Sequence, residues 1–99
     1  MHYLMTYDLV PDYLERRGEF RDEHLARARE SIARGELVLA GALADPADHA
    51  VLLFKCDSPA VAEAFAHADP YVRAGLVKQW HVRAWTTVVG ALAEHPVPA

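Results

Sequence analysis

Hydrophobic periodicity changes along this chain in the order strand, helix, strand, strand, helix, strand, and few folds accept that order. Tyr3 to Leu9 alternates, with Tyr3, Met5 and Tyr7 on one face and Leu4 and Thr6 on the other. Pro11-Asp12 closes this strand, and Asp12 is placed to cap the first helix. From Tyr13 to Arg34 the period is helical, with an apolar stripe of Leu25, Ala28 and Ile32. Gly18 weakens its first turns, so the regular helix is expected to begin near Glu19, and Gly35 ends it. Glu36 to Ala44 reads as a buried strand interrupted by Gly41. His49 to Cys56, after the turn Asp45-Pro46-Ala47-Asp48, is the most apolar strand and is expected to be central. Ser58-Pro59 starts the second helix, with Val61, Ala64, Phe65 and Ala68 as its stripe. Asp69-Pro70 breaks that helix, Pro70 to Ala74 forms one more turn closed by Gly75, and Lys78 to Val89 is the last strand.

Two βαβ halves with right-handed crossovers give an α+β, ferredoxin-like βαββαβ subunit. It has a four-stranded antiparallel sheet with both helices on one face. The other face is not fully polar. Trp80 and Trp85 fall on opposite sides of the last strand, so one of them belongs to a sheet face with no helix over it. An uncovered face of that kind points to a homodimer packed through its sheet faces.

The chain of 99 residues is 53% hydrophobic, enough for one packed domain and too short for two. Residues 1–90 are read as that domain and residues 91–99 as a flexible C-terminal tail. A net charge of -4 leaves no basic surplus for nucleic acid. No apolar run approaches the roughly 20 residues that span a bilayer, and there is no secretory signal, so neither a membrane nor export is expected. A single cysteine, Cys56, excludes an internal disulfide. The expected setting is cytoplasmic.

The chemistry-bearing positions are few. His24 lies about 40° around the first helix from both Phe20 and Ala28, at the edge of the buried stripe, with Arg21 on the same side. It reads either as a general acid or base in a cleft, with arginines holding an anionic substrate, or as a half-buried histidine under snorkelling arginines. Asp69 reads as the N-cap of the turn at Pro70, or as the partner that orients His24; one carboxylate has oxygens for both. Tyr71 and Arg73 are placed to bind a carboxylate or to cover the helix end. Gly41 lets a ligand or another backbone approach, or marks a bulge. The other histidines (His2, His49, His67, His81 and His95) show no helical zinc spacing, so no metal and no cofactor are expected.

Arg21-Asp22-Glu23-His24-Leu25, Leu39-Ala40-Gly41-Ala42-Leu43 and Asp69-Pro70-Tyr71-Val72-Arg73-Ala74-Gly75-Leu76 together resemble the YCII-like family over residues 1 to 89. That resemblance implies the ferredoxin-like subunit, a dimeric α–β barrel similar in fold to muconolactone isomerase-type proteins, and a His–Asp active-site pair falling on His24 and Asp69. One branch of the family includes a dehydrochlorinase; most members have no known reaction. The chain departs from the family where Gly41-Ala42 replaces a Gly-Pro. The function this implies is a small cofactorless enzyme, a lyase, isomerase or dehydrochlorinase. His24 would transfer a proton on a small acidic or lactone-type substrate held by Arg21, Gly41, Tyr71 and Arg73. The alternative is a non-catalytic binding or structural dimeric module.

Overall fold

The structure is a computed structural model describing residues 1–98. Its elements are β1 (His2–Leu9), α1 (Tyr13–Arg16), a single 3-10 turn (Arg17–Glu19), α2 (Arg21–Ala33), β2 (Leu37–Ala42), β3 (His49–Lys55), α3 (Ala60–Ala68), α4 (Pro70–Arg73) and β4 (Val77–Trp85). The sheet order is β2-β3-β1-β4 and every neighbouring pair is antiparallel. This is the ferredoxin-like α+β arrangement, with β1 and the apolar β3 in the middle.

Register assigns each side chain to a face. Tyr7 pairs with Ala50 and Trp80, and Met5 with Leu52 and Val82. That row, with Leu9 and Phe54, packs under Tyr13, Ala62, Phe65, Ala66 and Tyr71 from the helices to form the core. Alternate residues of β1 point to the other face. There Leu4 pairs with Leu53 and Arg83, and Leu39 pairs with Leu53. Leu39 is 70% exposed and Trp85 is 45% exposed on this side, whereas Trp80 belongs to the helix side and meets His67 edge-on at 5.4 Å. The helix-free face is therefore apolar at its centre.

Four local readings change. The apolar stripe of α2 keeps Ala28, which packs on the core, but not Ile32, which is 53% exposed where Ser31 is 1% exposed. The buried line runs through Phe20, His24, Ala28 and Ser31, and the small Ala28 and Ser31 let the C-terminal half of an arginine-rich helix approach the sheet. Asp12 makes no cap bond; its carboxylate pairs with Arg16 at 3.7 Å. β2 is an edge strand exposed from Leu39 to Ala42 rather than a buried one, and its irregularity lies between Leu37 and Leu39, not at Gly41. The last strand stops at Trp85 rather than Val89.

Residues beyond β4 lie back against the start of β1. Thr87 Oγ1 is 2.8 Å from His2 Nδ1 and accepts from the Glu94 amide at 3.0 Å, and the amides of His95 and Val97 donate to Thr87 and Val88 carbonyls. Ala99, the end of the segment read as a tail, lies outside the described residues. Gly35 and Gly75 both hold positive φ, 79° and 82°, and this is what lets α2 and α4 turn directly into strands.

Candidate functional site

The junction of α3 and α4 places one carboxylate in the core. Asp69 ends α3 with an extended backbone (φ -69°, ψ 120°), which the following proline enforces, and Pro70 opens α4. The Asp69 residue is 1% exposed. A buried carboxylate must be met by donors or it costs several kcal/mol. Three donors meet it. The Tyr71 amide donates to Oδ1 at 3.0 Å, which is the helix cap. His24 Nδ1 lies 2.7 Å from the same oxygen. The Tyr7 hydroxyl donates to Oδ2 at 2.7 Å. One carboxylate thus bonds both the backbone of α4 and the imidazole on α2.

His24 is fixed by more than that bond. Its ring stacks on Tyr71 with centroids 3.8 Å apart and planes 9° from parallel, and Phe65 meets it edge-on at 6.4 Å. Tyr71 in turn meets Tyr13 edge-on at 5.7 Å, and the Arg17 guanidinium lies 5.5 Å above the Tyr13 ring. With Nδ1 engaged by a carboxylate, the neutral imidazole carries its proton there and leaves a lone pair on Nε2. Nε2 makes no hydrogen bond among the described residues, and the side chain keeps 17% of its surface exposed.

Tyr7 is the member that sequence reasoning does not assign. Alternation places it on the core face of β1, and a buried tyrosine on such a face must direct its hydroxyl at a partner. That signal is present in the sequence, but Asp69 is sixty-two positions away. Burial, the Asp69 charge and the hydrogen bond to Asp69 push the Tyr7 phenol far above its ordinary value of 10.0, so it remains a donor.

Tyr71 is 3% exposed and serves first as the plate under His24, not as an arm held out to a ligand. Burial and the neighbouring Tyr13 hold its phenol above the ordinary value, against the pull of Arg21 and Arg17. Arg21 is exposed and lines neither of the two clefts beside α2. The first cleft, about 440 Å³, lies between α2 and α3 and includes Arg27, Ser31, Phe65 and Ala68. The second, about 580 Å³, includes Phe20, Arg27, Ala68, Pro70 and Arg73. Arg27 and Ala68 belong to both. Their linings bracket the polar cluster in sequence, with Phe20 and Arg27 on either side of His24 and Ala68 and Pro70 on either side of Asp69. The structure brings His24, Asp69, Tyr71 and Tyr7 together, with Arg73 at one of these clefts. Gly41 is elsewhere, on edge strand β2, and a Cβ added there would meet nothing within 4 Å in the chain. No group of three or more His, Cys, Asp or Glu side chains gathers to hold a metal among the described residues, and no helix is long and apolar enough to cross a membrane.

A ferredoxin-like subunit with a histidine, a carboxylate and a tyrosine joined across the helix–sheet boundary is the class these features define. The chain belongs to the YCII-related domain family, whose model matches residues 1–86. No curated protein sequence matches it. Among solved structures it is similar to 5-chloro-2-hydroxyhydroquinone dehydrochlorinase from Burkholderia phenoliruptrix AC1100, solved in complex with 2,5-dihydroxybenzoquinone. The TM-score is 0.74 at 21% identity, over 88% of this chain and 95% of that one. It is also similar to a protein of Agrobacterium tumefaciens (TM-score 0.57, 17% identity, 95% and 98% of the two chains). A NIPSNAP family protein of the same organism matches as well (0.57, 12%, 94% and 95%). At these identities the likeness is one of fold.

Proposed function

We propose that the chain is a small enzyme of the lyase or isomerase kind that moves a proton on a compact acidic, lactone-type or hydroxyquinol-type substrate without a cofactor. The observation that carries this reading is the His24 ring, held by buried Asp69 at Nδ1 and with an Nε2 that makes no hydrogen bond among the described residues. Nε2 takes a proton from an O–H, or from a carbon beside a carbonyl. The electron pair released forms a new π bond. In elimination a leaving group such as chloride departs from the substrate with its bonding pair. In isomerisation the imidazolium returns the proton to a different carbon. The Asp69 carboxylate offsets the imidazolium charge, and the stacked Tyr71 ring favours that cation further. Arg27 and Arg73, with Arg21 outside the clefts, supply positive charge for an acidic substrate.

The test is a panel of chlorinated hydroquinols, lactones and small carboxylic acids added to the protein, with the His24 ring followed by NMR and turnover by absorbance. At least one compound is expected to shift the His24 signals and be consumed. His24→Gln is expected to abolish consumption, a loss of roughly 100-fold or more for a general base. Binding without consumption would make the chain a binding module, and turnover that survives His24→Gln would remove the histidine from the chemistry.

We also infer that a second copy covers the helix-free sheet face. Leu39 and Trp85 lie exposed on it beside Leu4, Leu53 and Val51, and a contiguous apolar surface of this kind is unusual on a monomer. Sedimentation at micromolar concentration is expected to give a dimer with Trp85 fluorescence shielded from quenchers. Leu39→Asp, which changes a side chain that is 70% exposed in the single chain, is expected to yield a folded monomer. A wild-type monomer would refute the arrangement.

A further inference from the structure

We infer that Tyr7 is a positioning residue of this site: through Asp69 it sets the basicity of His24. The inference rests on the reading of His24 as the proton carrier, and goes beyond it by placing part of the control on the sheet. The carboxylate of Asp69 is held from three elements. Oδ1 is shared by the Tyr71 amide on α4 and His24 on α2, while Oδ2 has the Tyr7 hydroxyl, from β1, as its partner. Without Tyr7, Oδ2 has no donor among the described residues, and the carboxylate charge falls on the two donors at Oδ1, the Tyr71 amide and His24. Tyr7 is 1% exposed on a central strand, so its hydroxyl has no water to turn to. Its raised pKa keeps the hydroxyl protonated, and toward the carboxylate it acts as a donor only.

The donors also share one charge. Each hydrogen bond that Asp69 accepts from Tyr7 or from the cap stabilises the carboxylate and weakens its pull on the imidazolium. The groups against the pair are Tyr7 from β1 and Tyr71 from α4, and behind Tyr71 stand Tyr13 from α1, Arg17 from the 3-10 turn and Arg21 from the start of α2. Among these, Tyr7 bonds the carboxylate by a side chain that never reaches His24 directly. Strengthening its donation therefore makes His24 less basic, and removing the donation makes it more basic. A residue that only filled the core would do neither.

The experiment follows the His24 ring nitrogens by NMR across its titration. In Tyr7→Phe the His24 midpoint is expected to rise by about half a pH unit, with the Nδ1–H tautomer retained. Replacing Tyr7 by 3-fluorotyrosine, a stronger donor of nearly the same shape, is expected to move the midpoint down by a few tenths of a unit. This second variant keeps the test valid if Tyr7→Phe fails to fold. Opposite shifts in the two variants support the assignment. An unchanged midpoint in a folded variant would overturn it. Neither readout uses turnover, so a failure here is distinct from a failure of the proposed chemistry, which the compound panel alone decides.

Discussion

Asp69→Ser is expected to lower the stability of the fold by about 2–3 kcal/mol, although serine caps a helix as well as aspartate does. If Asp69 were only the N-cap of α4, the change would cost a few tenths of a kcal/mol, because the serine oxygen can still accept from the Tyr71 amide. The serine oxygen cannot at the same time reach the positions now held by Oδ1 and Oδ2. The Tyr7 hydroxyl, 1% exposed, is then left in the core without its acceptor, and a buried polar group without a partner costs about 1–3 kcal/mol. His24 loses its Nδ1 partner as well, at smaller cost because its ring keeps some exposure. In a domain of this size, a loss of about 2 kcal/mol lowers the melting temperature by roughly 10 °C. Thermal and urea unfolding check it, with a double-mutant cycle to isolate the cause. In a Tyr7→Phe background, Asp69→Ser is expected to cost less by about 1–2 kcal/mol, the coupling typical of residues in one hydrogen-bond network. Additive effects would mean that the bond between Tyr7 and Asp69 contributes nothing to folding.

The fold is legible in the sequence because each boundary has a short-range cause. Asp69-Pro70 forces an extended residue and then a helical one, Gly35 and Gly75 supply the positive φ that ends a helix, and the weakness at Gly18 coincides with the 3-10 turn that separates α1 from α2. The face of α2 is misread for a physical reason. In Arg-Asp-Glu-His-Leu-Ala-Arg-Ala-Arg the hydrophobic contrast is low, and what decides the buried side is how closely the backbone can approach the sheet, which favours Ser31 and Ala28 over Ile32. The end of β4 is overread because Thr86, Thr87, Val88 and Val89 have strong strand propensity, yet propensity does not supply a neighbouring strand, and the chain turns back to bond with Thr87 and Val88 instead.

The site is legible only where a residue type is conspicuous. His24 and Asp69 stand out as polar groups beside apolar stripes, and their functional reading draws on family resemblance as much as on spacing. The stacked arrangement of Tyr71 on His24 depends on the angle between α2 and α4, which no periodicity encodes. Arg27 illustrates a related limit. It lies three residues after His24 as Arg21 lies three before, and only the position of α3 decides that Arg27 is the one lining both clefts.

Alkaline pH is expected to destabilise the protein with a slope that Tyr7 sets. Burial, the Asp69 charge and the bond to Asp69 hold the Tyr7 phenol well above 10.0 in the folded chain, whereas the unfolded chain releases that proton near the ordinary value. Below about pH 10 both states are protonated at this position and stability is indifferent to it. Above that, the unfolded state binds fewer protons than the folded one, so stability falls, by about 1.4 kcal/mol per pH unit for this one group. Tyr71, also raised, adds to the fall over its own smaller window. From about pH 10 to about pH 11.5 the loss from Tyr7 alone reaches about 2 kcal/mol, a large part of the stability of a small domain. Urea unfolding between about pH 9 and about pH 11.5 measures the slope in wild type and in Tyr7→Phe. At neutral pH the phenylalanine variant is the less stable of the two, because Asp69 Oδ2 has lost its donor. With rising pH the two curves are expected to converge, since only the wild type carries the buried phenol. Parallel curves would mean that the Tyr7 proton leaves as easily from the folded chain as from the unfolded one, which a hydroxyl buried against a carboxylate at 2.7 Å does not permit.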